Sequence, residues 1–408
     1  MAYPSDMITP SQVVDLANKD ANRLVGPVAE FVVRREPYSN TVSAGTLPNV
    51  STLVRSVVAE RALPAASLAR PVFVPDEQIC GQAGGTTQVG TTEFQYQLKT
   101  LRERGPKVCV KTTRTAWASS YPAIINSLKE AIKEVTGSDI RATYLDQGGC
   151  KLVCDSTGPF TGSPGCFAGD VNAVGTLFPN RTPDSPMSFR GLEYTATFMR
   201  ETLQVDPYDG EDAEGGMLCI ASQDSIQLFR DELDIREDIR ALTTGRYALG
   251  ENTIQGYKFQ GPYHGIGWGI DPRPLRCTTL ATQVVGGTTY LNPVLLEPYV
   301  AVQVSTGFAA RPNPAWVSAT YEFMFLIGKN GFRRLTPESY KIPGFDFSAP
   351  ISNNGLQFRQ LIDADENFWG DFGQHIYELA RAYKPEHPHA ICAILYKRPT
   401  ASLALSPA

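Results

Sequence analysis

Charge is scarce in this sequence, histidine scarcer still, and long apolar runs are missing. Asp, Glu, Lys and Arg make up 19% of the 408 residues, short of the roughly 25% of an ordinary soluble domain. Two kinds of protein have so few charges: one whose surface is covered by neighbours, and a poorly soluble monomer. Nor is the charge concentrated. Thirty-seven Lys and Arg oppose 42 Asp and Glu, a formal net charge of -5, with no basic tail and no block of one sign. Sequence-reading contact with nucleic acid wants a positive stripe that displaces phosphate counterions, so that class is excluded; a protein that merely encloses DNA needs no stripe. The longest apolar runs, such as 323–327, fall far short of the roughly 20 residues that span a bilayer. The opening MAYPSDMITP lacks the basic-then-apolar order of a secretory signal. The expectation is a protein kept in a soluble compartment, with no membrane partner.

Catalytic signatures are lacking too. HExxH, GxSxG and CxxC do not occur. The four histidines are His264, His375, His387 and His389, and the HxH pair around Pro388 reads as a surface turn. HGIGWGI has closely spaced glycines but no following Lys-Ser/Thr and no helix, so it fails as a phosphate loop; Gly267 and Gly269 instead relieve crowding in a strand or bend. Asp209, Glu211, Asp212 and Glu214 read as an exposed acidic turn without the calcium-loop spacing. Of eight cysteines, Cys109, Cys219 and Cys392 sit in apolar runs, where a thiol behaves as a small buried hydrophobe. Cys150, Cys154 and Cys166 leave three readings open: thiolates for zinc with a fourth ligand such as His264, a disulfide within the group, or unlinked thiols. No catalytic residue, cofactor or metal is expected. An enzyme of unassigned chemistry with a mixed α/β domain is the alternative class, and would require a convergent polar pocket.

The chain is long enough for more than one core. Thr9 and Pro10 open a helix with Val13, Val14, Leu16 and Ala17 on its apolar stripe, ended by Gly26 and Pro27. Residues 36–56 lack periodicity and read as an extended arm. Residues 72–115 read as a long two-stranded excursion with a Gly/Thr-rich tip and a return strand near KVCVKTTRT, too polar to bury a core of its own. The spacing of Ile124, Leu128, Ala131, Ile132 and Val135 predicts a helix over 117–136, stopped by Gly137. GMLCIA is a buried strand feeding a helix capped by Ser222, with Ile226, Phe229 and Leu233 on one face. GYKFQG, GIGWGI and TTYLNPVLLEPYVAVQVST read as further strands. SATYEFMFLIGKNGFRRL reads as two strands turning at 328–331, residues 372–382 as a short helical or irregular piece, and AICAILYKR as a strand that rejoins a sheet made much earlier.

This order of parts, an α+β chain, resembles the major capsid proteins of tailed bacteriophages, the family with the HK97-type shell fold. The resemblance implies an N-terminal arm over 1–65, an extended β-hairpin loop over 66–116, the spine helix of a peripheral domain over 117–140, an axial domain over 141–315, and return strands with a C-terminal tail over 316–408. It also implies a homo-oligomer of hexamers and pentamers in an icosahedral shell around double-stranded DNA, held without sequence-specific contact. The place would be the virion capsid, assembled in the host cytoplasm. Separate scaffolding, portal and cement proteins would be partners, and an encapsulin-like non-viral shell protein is the near alternative. The Lys, Asn and Glu that crosslink some members have no match around Lys99, Lys107 and Lys111, so no crosslink is expected. Candidate contacts between subunits are Phe94, Tyr96 and Leu98, with packing on their own subunit as the competing reading. Arg102, Glu103 and Arg104, and Arg236, Glu237 and Asp238 in RDELDIREDIR, are further candidates against a solvated surface.

Overall fold

The computed structural model describes residues 36–47, 53–62, 88–97, 99–104, 108–109, 117–156, 164–167, 175–208, 216–232, 252–254, 257–263, 266–304, 307–337, 356–363 and 372–399. The helix expected over 9–25 lies outside them. The first elements are a 3-10 turn (Pro37–Asn40), strands β1 (Ser43–Leu47), β2 (Leu53–Ala62), β3 (Gln88–Gln97), β4 (Lys99–Arg104) and β5 (Val108–Cys109), then helix α1 (Trp117–Gln147).

Helix α1 does not stop at Gly137 but runs on to Gln147, 31 residues in all, about 46 Å at 1.5 Å per residue. Gly137 serves close approach: a Cβ there would overlap the Glu36 carboxyl. A mid-helix glycine costs about 1 kcal/mol, and burial of Ile140, Tyr144 and Leu145 beyond it offsets that cost. The helix ends at Gly148, whose N–H donates to the Tyr144 carbonyl at 3.0 Å.

The two-stranded ribbon is also built differently from its expected form. Its outgoing strand is β2, which starts inside the stretch 36–56 read as aperiodic arm and runs past it, and β2 pairs antiparallel with β3 from Leu53↔Gln97 to Ala62↔Gln88. Among the described residues, KVCVKTTRT supplies β5, which pairs with β20 and not with β3. A strand whose partner lies far along the chain has no local signal beyond its β-branched residues.

The middle of the chain forms β6 (Cys150–Cys154), β7 (Pro164–Phe167), β8 (Phe178–Pro179), α2 (Phe189–Glu201), β9 (Met217–Ala221), α3 (Gln223–Glu232), β10 (Asn252–Ile254), β11 (Tyr257–Tyr263) and β12 (Ile266–Ile270). Two excursions follow, β13 (Arg276–Val285) with β14 (Thr288–Leu295), and β15 (Tyr299–Val304) with β16 (Gly307–Pro312), closed by the one-turn α4 (Pro314–Val317). The chain finishes with β17 (Tyr321–Ile327), β18 (Phe332–Pro337), β19 (Leu356–Asp363), β20 (Phe372–Pro385) and β21 (Ile391–Lys397).

Strands β7, β6, β21, β17, β9, β12, β11 and β10 lie side by side in the central sheet, and β13, β14 and β8 branch from β17. The β6–β21 and β9–β12 pairs are parallel, while β17 is antiparallel to both β21 and β9. Side chains alternate across the sheet, and both faces are covered. Phe323, Phe325, Ile327, Leu218, Ile220, Ile391, Ala393 and Leu395 pack with Tyr38, Ile140 and Tyr144 on the α1 side. Met324, Leu326, Met217, Cys219, Cys392 and Ile394 pack under α2 and α3 with Phe189, Met199 and Phe229. A strand buried on both faces reads as a continuous apolar run, which is why GMLCIA, YEFMFLI and AICAILYK were legible.

Helix α2 was missed by the sequence reading. Its signal was present: the Ser188 hydroxyl accepts from the Gly191 N–H at 3.0 Å, and Phe189, Leu192, Ala196 and Met199 are buried on one face. The helical or irregular piece at 372–382 is strand β20. IYELARAY is rich in helix formers, yet pairing with β19, β4, β5 and β18 overrides local propensity. The turn at 328–331, with Asn330 at φ 55°, carries the chain from the central sheet to the second sheet of β1, β18, β20, β19, β4 and β5.

Candidate assembly surfaces

Beyond its first two residues β13 leaves the core, and β15 is exposed from Tyr299 to Gln303, while β14 returns to the core at Leu291 and Pro293. Arg276 and Cys277 are buried beside β17, but the rest of β13 is exposed or half-buried as far as the Gly286–Gly287 turn. Both glycines have positive φ, 58° and 84°, the backbone of a two-residue type I′ hairpin, and nothing lies near either. Apolar side chains face solvent along these strands: Val284 is 66% exposed, Val294 51% and Val302 41%, with Leu295, Tyr299 and Val300 also exposed. Strands β15 and β16 pair only with each other among the described residues. Two strands alone are marginally stable in water, so this ribbon shows a β-branched face with no core beneath it.

Its roots are held by a buried ionic cluster. Glu322 on β17 accepts from the Arg276 guanidinium at 2.8 Å and from the Tyr396 hydroxyl, and Arg398 lies 3.5 Å away. Arg276 also stacks on the Trp316 ring of α4, 3.9 Å from its centroid. Arg398 donates to the carbonyls of Val317 and Ala319 at 2.7 and 3.0 Å. The start of β13, strand β17 and the end of the last strand thus meet on one carboxylate, with α4 stacked on Arg276. Burial pushes the Tyr396 hydroxyl well above its ordinary pKa, and the Glu322 charge adds to that, so it stays a donor.

A second cluster marks the start of the described chain. Tyr38 donates to Asp271 at 2.8 Å, Arg141 on α1 pairs with the same carboxylate at 3.1 Å, and Glu36 lies 3.7 Å from Arg141. Burial raises the Glu36 carboxyl to about 7, with Arg141 working in the opposite direction and Asp271 adding to the rise.

The expected contact residues are scattered. Phe94 and Tyr96 lie on β3 opposite Ser56 and Val54. Arg102, Glu103 and Arg104 lie on β4, opposite Glu378, Tyr377 and Ile376 of β20, so they belong to a strand of the second sheet and not to the ribbon. Leu98, Arg236, Glu237 and Asp238 lie outside the described residues. Sequence reasoning did not single out Val284, Val294 or Val302; the available signal was a run of apolar strands from 288 to 304 with no helix to cover it.

Among the described residues, no three His, Cys, Asp or Glu side chains gather in a way that could hold a metal ion. Cys150 and Cys154 sit at opposite ends of β6, about 13 Å apart at strand rise, too far to share a zinc or a disulfide. Cys154 instead contacts the Ser185 hydroxyl at 3.7 Å. No helix among the described residues is long and apolar enough to cross a membrane.

No protein-family model matches this sequence, and no curated protein does. Solved structures do. A chain of the Cyanophage Pam1 capsid asymmetric unit superposes with a TM-score of 0.51 at 8% identity, over 90% of this chain and 93% of that one. The capsid of Ralstonia phage GP4 gives 0.47 at 11% identity, over 90% and 91%. The capsid of Cyanophage P-SCSP1u gives 0.46 at 10% identity, over 89% and 88%. At 8% identity the likeness is one of fold, and it rests on the first of the three.

Proposed function

Starting from a chain that has the HK97-type shell fold of phage capsid structures, we propose that this protein is the structural subunit of a closed shell, and not an enzyme. The observation that carries the reading is the run of exposed apolar side chains on β13, β14 and β15, where Val284, Val294, Leu295, Tyr299, Val300 and Val302 meet water. Large apolar side chains gathered in the open on neighbouring segments suit an interface. A standard interface buries on the order of 1,600 Å², and apolar burial contributes about 25 cal/mol per Å² before ordering costs. Repeated around a ring of identical subunits, modest contacts become a durable wall.

In this reading, copies form hexamers and pentamers of an icosahedral capsid enclosing double-stranded DNA, assembled in the host cytoplasm with separate scaffolding, portal and cement proteins. The β2–β3 ribbon, carrying Phe94 and Tyr96, is the reaching element that lies on a neighbour, together with Leu98. Arg102, Glu103 and Arg104, and Arg236, Glu237 and Asp238, offer charges across the boundary. Ribbons suit a shell because they bend at their roots while keeping their contacts, so one sequence serves several angular settings.

Electron microscopy and sedimentation of the protein, expressed alone and with its neighbouring gene products, test this. Closed polyhedra or hexameric rings are expected. A monodisperse monomer under both conditions at high concentration would sink the reading.

A further inference from the structure

Cys150 on β6 and Cys392 on β21 stand directly opposite each other in the parallel register. Strand β21 is also paired with β17 at this level, Cys392 standing opposite Leu326, and β6 pairs with β7 from Leu152 onward. Both side chains are fully buried on the α2 and α3 side of the sheet, and the Cys150 thiol donates to the Cys392 sulfur across 2.9 Å. A disulfide bond is about 2.05 Å long and accepts Cα separations of about 4.4–6.8 Å. Paired strands are about 4.8 Å apart, so the bond forms with the sulfurs closing by less than 1 Å and no shift of backbone. Cys154, four residues along the same strand, contacts the Ser185 hydroxyl and the Pro186 carbonyl.

We propose that Cys150 and Cys392 are a covalent modification site, an intrachain disulfide that fastens the last strand to the central sheet when the chain folds in the presence of a low-molecular-weight disulfide such as oxidised glutathione. The Cys392 thiolate attacks one sulfur of the oxidant, breaking its S–S bond, forming a mixed disulfide and releasing one glutathione thiolate. As β21 approaches β6, the Cys150 thiolate attacks the Cys392 sulfur and expels the second glutathione. The two thiol protons pass to the departing thiolates; the protein loses two electrons and the oxidant gains two. The order of events follows from burial. In the finished sheet a tripeptide cannot reach either sulfur, and burial holds the Cys392 thiol well above its ordinary pKa, so the reactive thiolate exists before docking and not after. Once made, the bond closes the chain from 150 to 392, a long loop whose constraint disfavours the unfolded ensemble.

The test refolds the full chain in a mixture of reduced and oxidised glutathione, blocks free thiols with iodoacetamide in denaturant, and maps the peptides by mass spectrometry without reduction. The expected result is a linked pair carrying Cys150 and Cys392, a chain mass lower by two hydrogens, and a melting midpoint about 5 °C or more above that of the chain refolded with dithiothreitol. Cys392→Ala and Cys150→Ala should each lose the linked pair, and Cys154→Ala should keep it. Recovery of both residues as alkylated or glutathione-capped peptides from wild type would overturn the proposal. So would linkage of Cys150 to any other cysteine, or a linked chain that melts no higher than the reduced one. The wild-type map decides the matter even if an alanine variant fails to fold.

Discussion

Strands β17 and β15 carry nearly interchangeable text, YEFMFLI and YVAVQV. Six of the seven residues of β17 are buried, because β21, β9 and β13 pair with it and helices cover both faces of its sheet. In β15 the residues from Tyr299 to Gln303 are exposed, and its one described neighbour is β16. Hydrophobicity alone therefore does not say whether a strand supports its own subunit or awaits another. What separates the two is the number of layers that reach the strand.

That contrast can be broken first at the core. Phe325 makes edge contacts with the rings of Tyr38 and Tyr144. Phe325→Ala should cost about 3–5 kcal/mol, the transfer and cavity terms of a buried aromatic, measured as a fall in the urea midpoint of the unassembled chain. Glu322→Gln is expected to cost about 3 kcal/mol by the same measurement, since it leaves Arg276 and Arg398 buried without their shared carboxylate. The conservative shape of glutamine makes a loss of packing a poor explanation for that result.

A pH series sharpens the comparison at Glu36. Its carboxyl is raised from 4.5 to about 7 by burial, so the fold favours the protonated form. The stability it contributes is fully present below pH 4.5 and is lost as pH rises through about 7, on the order of 2–3 kcal/mol across the window. Arg141, Lys133, Asp271 and Tyr38 are the groups that bear on it. Glu36→Gln should flatten the urea midpoint between pH 5 and pH 8 relative to wild type; an unchanged slope would remove Glu36 from the account.

The smallest effect on the subunit, and the largest on the proposed shell, belongs to the excursions. Val284→Ser, Val294→Ser and Val302→Ser should each shift monomer stability by no more than about 0.5 kcal/mol, because these side chains already face water. Combined, they should abolish rings or shells in sedimentation. If the triple variant assembles like wild type, β13 to β16 are not the contact.

How legible was all this in the sequence? Helix α1 and strands β9, β17 and β21 were readable because their patterns are local: a stripe at three- and four-residue spacing, or an unbroken apolar run. Helix α2 was missed although Ser188 caps it, since no strong apolar run drew attention to 189–201. Strand β20 was misread because its helix-forming residues spoke for themselves while its partner strands lay elsewhere in the chain. The ribbon was recognised as an extended two-stranded element, but its outgoing strand was placed too far along, since pairing between distant segments is written in neither segment alone. The ionic root around Glu322 was invisible, since its four side chains come from residues 276, 322, 396 and 398.

By itself, then, the amino-acid order determined which segments are apolar enough to bury and which helix braces the sheet, because periodicity and propensity act over a few residues. Tertiary structure alone decided that Cys150 meets Cys392 and not Cys154, that Glu36 loses its water against α1, and that β15 remains bare while β17 is enclosed. Each of these depends on the distance between groups far apart in the chain, and only the folded backbone sets that distance.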